Sequence, residues 1–163
     1  MMNATMHIRD QLLEELELAV RTSEALIRRI EPGQWNYRPQ NNMRSLAELV
    51  RHLALIPASD LTILKESPQQ EVEGVERSLD EVADSETLAL RLRSHFEEAK
   101  RYFTSLPEEE LLYRSTKAFY AEHGAVQIRW LIEMVTHMFH HRSQLYNYLK
   151  QLGHELQFFV LYA

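Results

Sequence analysis

The stretch Gln127–Leu152, QIRWLIEMVTHMFHHRSQLYNYLKQL, decides the fold and points to the chemistry. If it is one helix, a step of about 100° per residue from His141 brings Met134, His137, Met138, Leu145, Tyr148 and Leu152 within about 60° of it. His137 and His141 therefore share the apolar face. His140 lies about 100° away, on the side of Glu133, Asn147 and Gln151, and reads as a solvated neighbour. Residues at i and i+4 stand one above the other, roughly 6 Å apart at Cβ, so two imidazoles in this spacing can reach one small cation.

A third histidine belongs with them. Leu49, Ile56 and Ile63 recur every seven residues, and His52 and Ser59 occupy the intervening core positions of the same seam. A buried imidazole without a partner costs a few kcal/mol, so His52 needs a hydrogen bond, a charge or a metal. A divalent ion shared by His52, His137 and His141 satisfies all three rings. The simpler alternative is a set of hydrogen-bonded core histidines.

The rest of the chain reads as helical. Four glycines and five prolines punctuate its 163 residues and are read as falling between periodic segments. The first helix is expected over about Thr5–Ile30, with Ile8, Leu12, Leu16, Val20 and Ile27 as its stripe and Glu31-Pro32-Gly33 as its stop. Ser45-Leu46-Ala47-Glu48 is a capping box that opens the second, ending near Lys65 and carrying His52 about two turns in. Glu66–Arg77 reads as a polar loop. The third helix covers roughly Ser85–Ser105, with Leu88, Leu92, Phe96 and Phe103 inward and Ser78 as an alternative start. His95, beside Glu97 and Glu98, is expected to be exposed. Pro107 ends this helix, Glu108-Glu109-Glu110 reads as a solvated turn, and Arg114–Ala125 as a long connection with room for a short hairpin. His123, before Gly124, reads as part of a turn. The fourth helix stops at Gly153, and the apolar end Phe158–Tyr162 either docks on the bundle or makes a subunit interface.

Composition bounds the function. With 45% hydrophobic residues the chain suits one domain over residues 1–163. No apolar run reaches the roughly 20 residues of a bilayer span, and Met1–Asp10 lacks a secretory apolar stretch, so a cytoplasmic protein with no membrane partner is expected. Zero cysteines exclude disulfides and protein thiolate ligands. A net charge of −6 disfavours broad contact with a phosphate backbone, so no nucleic-acid partner is expected.

Three segments together carry a resemblance: Trp35-Asn36-Tyr37-Arg38-Pro39, then Ser45-Leu46-Ala47-Glu48-Leu49-Val50-Arg51-His52-Leu53-Ala54, then His137-Met138-Phe139-His140-His141-Arg142-Ser143-Gln144-Leu145. In this order and spacing they are similar to the DinB family of the DinB/YfiT-like superfamily, over most of the chain. The resemblance implies an all-α four-helix bundle with up-down-down-up connectivity, often a homodimer. It also implies a three-histidine metal site that maps onto His52, His137 and His141. Two departures stand out. Ser143 replaces a common glycine on the outer face, and the usual ending after the last helix is replaced by Gly153-His154-Glu155-Leu156.

Three neutral imidazoles leave a coordination position open, the pattern of a catalytic metal. Zinc, nickel, manganese and iron all suit such ligands. An ion there lowers the pKa of water or takes an incoming thiol as thiolate. Some relatives in the superfamily use a small cellular thiol, so a metal-dependent hydrolase or thiol S-transferase is the implied activity, with a small-molecule thiol as partner. Peptide hydrolysis is disfavoured, because the glutamate of the helical zinc-protease motif is replaced by Met138. Two further readings stand beside it, a bundle with a structural metal and an interaction or dimerisation module. No general base is nominated: Glu48 serves as the capping acid or orients His52, and Arg142 and Gln144 either touch the site or face solvent. Trp35, Tyr37 and Trp130 are read as core or rim residues.

Overall fold

The computed structural model describes residues 3–162. Among the described residues six helices form: α1 (Ala4–Ile27), α2 (Leu46–Leu64), α3 (Gln69–Arg77), α4 (Ser85–Ser105), α5 (Glu108–Tyr113) and α6 (Gln127–Gln151). The two-residue strands β1 (Ser115–Thr116) and β2 (Ala125–Val126) pair antiparallel, and 3₁₀ turns cover Pro32–Gln34 and Phe158–Leu161.

The four long helices α1, α2, α4 and α6 make a bundle in which α1 packs on α4 and α6, and α2 packs on the same two. Cross-helix contacts fix the directions. Arg9 bonds the Thr104 carbonyl, Lys100 pairs with Glu17, and Arg93 pairs with Glu24, so α1 and α4 are antiparallel. The Tyr102 hydroxyl donates to Gln127 Oε1, which starts α6 at the end of the bundle where α1 starts. His52 meets His141 while Asp60 meets His137, so α2 runs against α6. The connectivity is therefore up-down-down-up. Residues 28–45 cross the bundle end from α1 to α2 and are pinned there, with Leu46 N–H donating to Tyr37 O and Ala47 N–H to Trp35 O.

The core between them is one continuous set, with Leu16, Leu26, Leu49, Leu53, Phe96 and Phe103 fully buried. At roughly 1.5–3 kcal/mol per buried large apolar side chain, this set is the main force holding the helices together. Both helix ends read from sequence form as specified. Ser45 Oγ accepts from Glu48 N–H while Glu48 accepts from Ser45 N–H. Gly153, at φ 92°, closes α6, with Gly153 N–H donating to Lys150 O and His154 N–H to Leu149 O.

Several expectations need correction. Glu66–Arg77 is not a loop: Gln69–Arg77 is α3, anchored on α2 by the buried Val72. Glu108–Glu110 is not a turn but the first turn of α5, where three carboxylates favour the helix N-terminus and Leu111 is buried. α1 stops at Ile27, and Arg28–Ile30 unwind into tight turns before Pro32. Ile8 is 57% exposed. A stripe taken in steps of four drifts by about 40° per step, so Arg9 and Leu13 take the inward direction by the first turns. Pro57 lies inside α2 instead of between elements, at the expense of one backbone hydrogen bond to Leu53. His95 is half-buried, with Nδ1 donating to the Ala54 carbonyl at 2.8 Å. Among the described residues no helix is long and apolar enough to cross a membrane.

Candidate metal centre

Because α2 and α6 are antiparallel neighbours, His52 faces the turn of α6 that carries His137 and His141. The Nε2 atom of His52 lies 3.2 Å from His137 Nε2 and 3.1 Å from His141 Nε2. Ligand atoms of all three lie within 4.8 Å of one another. Tetrahedral coordination at zinc–nitrogen distances of 2.0–2.1 Å separates ligand atoms by about 3.3 Å, close to both distances from His52 Nε2.

The outer nitrogens set the tautomers. Asp60 Oδ2 lies 3.2 Å from His137 Nδ1, and a carboxylate only accepts, so Nδ1 carries the proton and Nε2 presents a lone pair. Gln144 Oε1 accepts from His141 Nδ1 at 2.7 Å, with the same result. His52 Nε2 has at most one proton to give, so it cannot satisfy both neighbours, and the three nitrogens form a cluster of donors that a bound cation would satisfy.

Electrostatics favours the ligating form. Burial, reinforced by charge on His141, Arg44, His137 and His140, pushes the His52 pKa from 6.5 down to about 3. Burial pushes His141 down to about 4, against the opposing effect of the hydrogen bond it donates to Gln144. Both rings are neutral at pH 7, as metal ligation requires. Since both shifts are downward, the unfolded chain binds more protons than the folded one below about pH 6.5. The stability these groups contribute is full above that pH and is lost as pH falls towards their folded values. The urea midpoint of chelator-treated protein is therefore expected to fall between about pH 7 and pH 5, and to fall less in His52→Phe. A midpoint independent of pH in the unsubstituted chain would contradict the buried neutral rings.

Two cavities border the cluster. A cavity of about 630 Å³ reaches His52 and His137, between α2, α3, α6 and the β1–β2 hairpin, whereas His141 is 6% exposed and lies outside its lining. Tyr120 and Trp130 stand on its wall. A second cavity, near Arg44 and Arg51, touches His52 alone of the three.

The other residues singled out from sequence fall on both sides of the alternatives. Glu48 pairs with Arg38 and caps α2, and makes no bond to His52. Gln144 belongs to the site. Arg142 does not face solvent: it is buried, donates to Thr22 Oγ1 and the Leu161 carbonyl, and stacks on Phe139. His140 is exposed at the cavity rim. Trp35 is buried, Trp130 donates to Thr116 Oγ1, and Tyr37 packs edge-on to Tyr148. Asp60 is the residue that sequence reasoning missed. Residues that orient metal-binding imidazoles are typically worth 10–100-fold in metal affinity, so Asp60→Ala and Gln144→Ala are each expected to weaken binding by about that factor in a chelator competition assay. Unchanged affinity in both variants would remove them from the site.

The model of the DinB family matches residues 1–160. Among solved structures the chain is similar to a protein of Exiguobacterium sibiricum assigned to that family, at 26% identity and a TM-score of 0.81, covering 98% of this chain and 99% of that one. It is also similar in fold to YfiT of Bacillus subtilis, described as a probable metal-dependent hydrolase with an unusual four-helix bundle topology. That match has 15% identity and a TM-score of 0.72, over 90% and 89% of the two chains. A further fold neighbour is the colibactin self-resistance protein ClbS, described in complex with a dsDNA, at 12% identity and a TM-score of 0.64, over 87% and 95%. No curated protein sequence matches the chain.

Proposed function

The chain belongs to the DinB family, and from that premise we propose that it binds one divalent ion through His52, His137 and His141 with a coordination position left for an exogenous ligand. The convergence of three Nε2 atoms, two of them held as lone pairs by Asp60 and Gln144, carries this reading. YfiT's description as a probable metal-dependent hydrolase supports it by likeness of fold. An ion held there supplies Lewis acidity, enough to acidify a water or a small thiol that reaches it. The protein's own residues do the rest. Asp60 and Gln144 fix the rings, His141 is buried, and the Tyr120 and Trp130 wall shapes the entrance. The activity is accordingly a metal-dependent hydrolase or a thiol S-transferase of the cytoplasm.

A homodimer is part of the proposal, through the C-terminal turn, where Phe158, Phe159 and Tyr162 are 71%, 56% and 65% exposed. The net charge of −6 supports a protein without a nucleic-acid partner, although the dsDNA complex of ClbS stands against extending that to the whole fold. The open position is tested by loading the protein with cobalt(II) and adding 2-mercaptoethanol. A new thiolate-to-metal absorption band is expected; an unchanged spectrum would mean a closed, structural site.

A further inference from the structure

Three carboxylates, Asp60, Glu76 and Glu133, line the cavity over His52 and His137, and no lysine or arginine does. Carboxylates alone do not make a site; here they wall an opening lined by His52 and His137, two members of the three-histidine cluster. Their engagements differ. Asp60 is committed to His137, and Glu133 pairs with Arg129 at 3.2 Å, outside the lining. Among the described residues Glu76 has no ion-pair partner, and its one hydrogen bond comes from the Ser59 hydroxyl, at 3.4 Å. It comes from α3 and lines both cavities that border His52, the second of which also carries Arg44 and Arg51 together with Glu48 and Asp80. A cation entering here meets one uncommitted carboxylate with the Tyr120 ring on the same wall, a pairing that suits an ammonium group. An anionic tail instead faces like charge in a partly enclosed space, where repulsion is less screened than on open surface.

Resting on the open-metal reading above, we infer that the substrate or co-substrate of this site is a small molecule carrying a protonated amine, with Glu76 as its charge partner. Thiols bearing carboxylates are selected against.

The experiment uses the cobalt(II)-loaded full chain and three probes: cysteamine, 3-mercaptopropionate and 2-mercaptoethanol, which are cationic, anionic and neutral at neutral pH. Dissociation constants are read from the thiolate band. The quantity compared is the ratio of the cysteamine constant to the 3-mercaptopropionate constant in the unsubstituted protein, in Glu76→Gln and in Glu133→Gln, so that intrinsic thiol acidity cancels. Glu76→Gln is expected to lower the preference for cysteamine by on the order of tenfold at low salt, leaving 2-mercaptoethanol unchanged. Glu133→Gln is expected to have a smaller effect, because Arg129 already offsets that charge. Glu76 and Glu133 are exposed, so neither substitution endangers folding. An unchanged ratio in Glu76→Gln overturns the inference while leaving the open metal site intact. A protein that shows no band with any of the three thiols overturns the open-site reading and this inference with it.

Discussion

Protein expressed without a tag and purified without a metal column is expected to carry close to one divalent ion per chain by mass spectrometry, and His52→Ala and His141→Ala are each expected to lose it. The two variants are chosen from different helices. If the ion were held by the i, i+4 pair of α6 alone, His52→Ala would keep most of it. With Nε2 of His52 at 3.1 and 3.2 Å from the other two, that ring is an equal member of the set. Its removal should cost more affinity than the roughly 10–100-fold expected for Asp60 or Gln144, which only orient the rings. The loss should occur without unfolding, because His52 is only half-buried and its deletion relieves crowded lone pairs. Absence of metal from the unsubstituted protein, even after incubation with zinc, nickel, manganese or iron, would overturn the metal reading and leave a hydrogen-bonded histidine cluster.

The second large effect separates fold from site. Leu53 adjoins His52 in sequence yet is 0% exposed, packed in the core while His52 borders the cavity. Leu53→Ala removes a side chain from a place that collapses only partly, and is expected to destabilise by about 2–5 kcal/mol in urea titrations while retaining the metal at neutral pH. Neighbouring substitutions on one helix should thus give opposite phenotypes: metal loss with stability kept, and stability loss with metal kept. Equal metal loss in both would mean that ligation depends on global stability more than on the three rings.

The structure explains why some residues were legible from sequence and others not. The i, i+4 spacing of His137 and His141 and the heptad place of His52 are periodicities, and helical periodicity survives any arrangement of helices. Gln144 was also within reach, since i+3 from His141 is the next position on the same face. α5 carries a local signal, three glutamates following a proline at a helix start. α3 had almost none. Gln69–Arg77 buries one side chain, contains Gly74, and is held by packing on α2 more than by its own pattern. That is also why Glu76, carried by α3, could not be assigned to the cavity beforehand.

By itself the sequence determined the four long helices, the capping box at Ser45, the stop at Gly153 and the three histidines on inward faces, because each follows from local periodicity or from chemistry within a few residues. Only the tertiary structure decided that Asp60 orients His137. At about 80° from His52 around α2, Asp60 leaves the histidine seam, and it reaches His137 because α6 passes antiparallel on that side. The same holds for Glu76 over the cavity and for the burial of Arg142 beneath the C-terminal turn. Each depends on which helix lies next to which and in what direction, and those are relations between distant segments that no local pattern encodes.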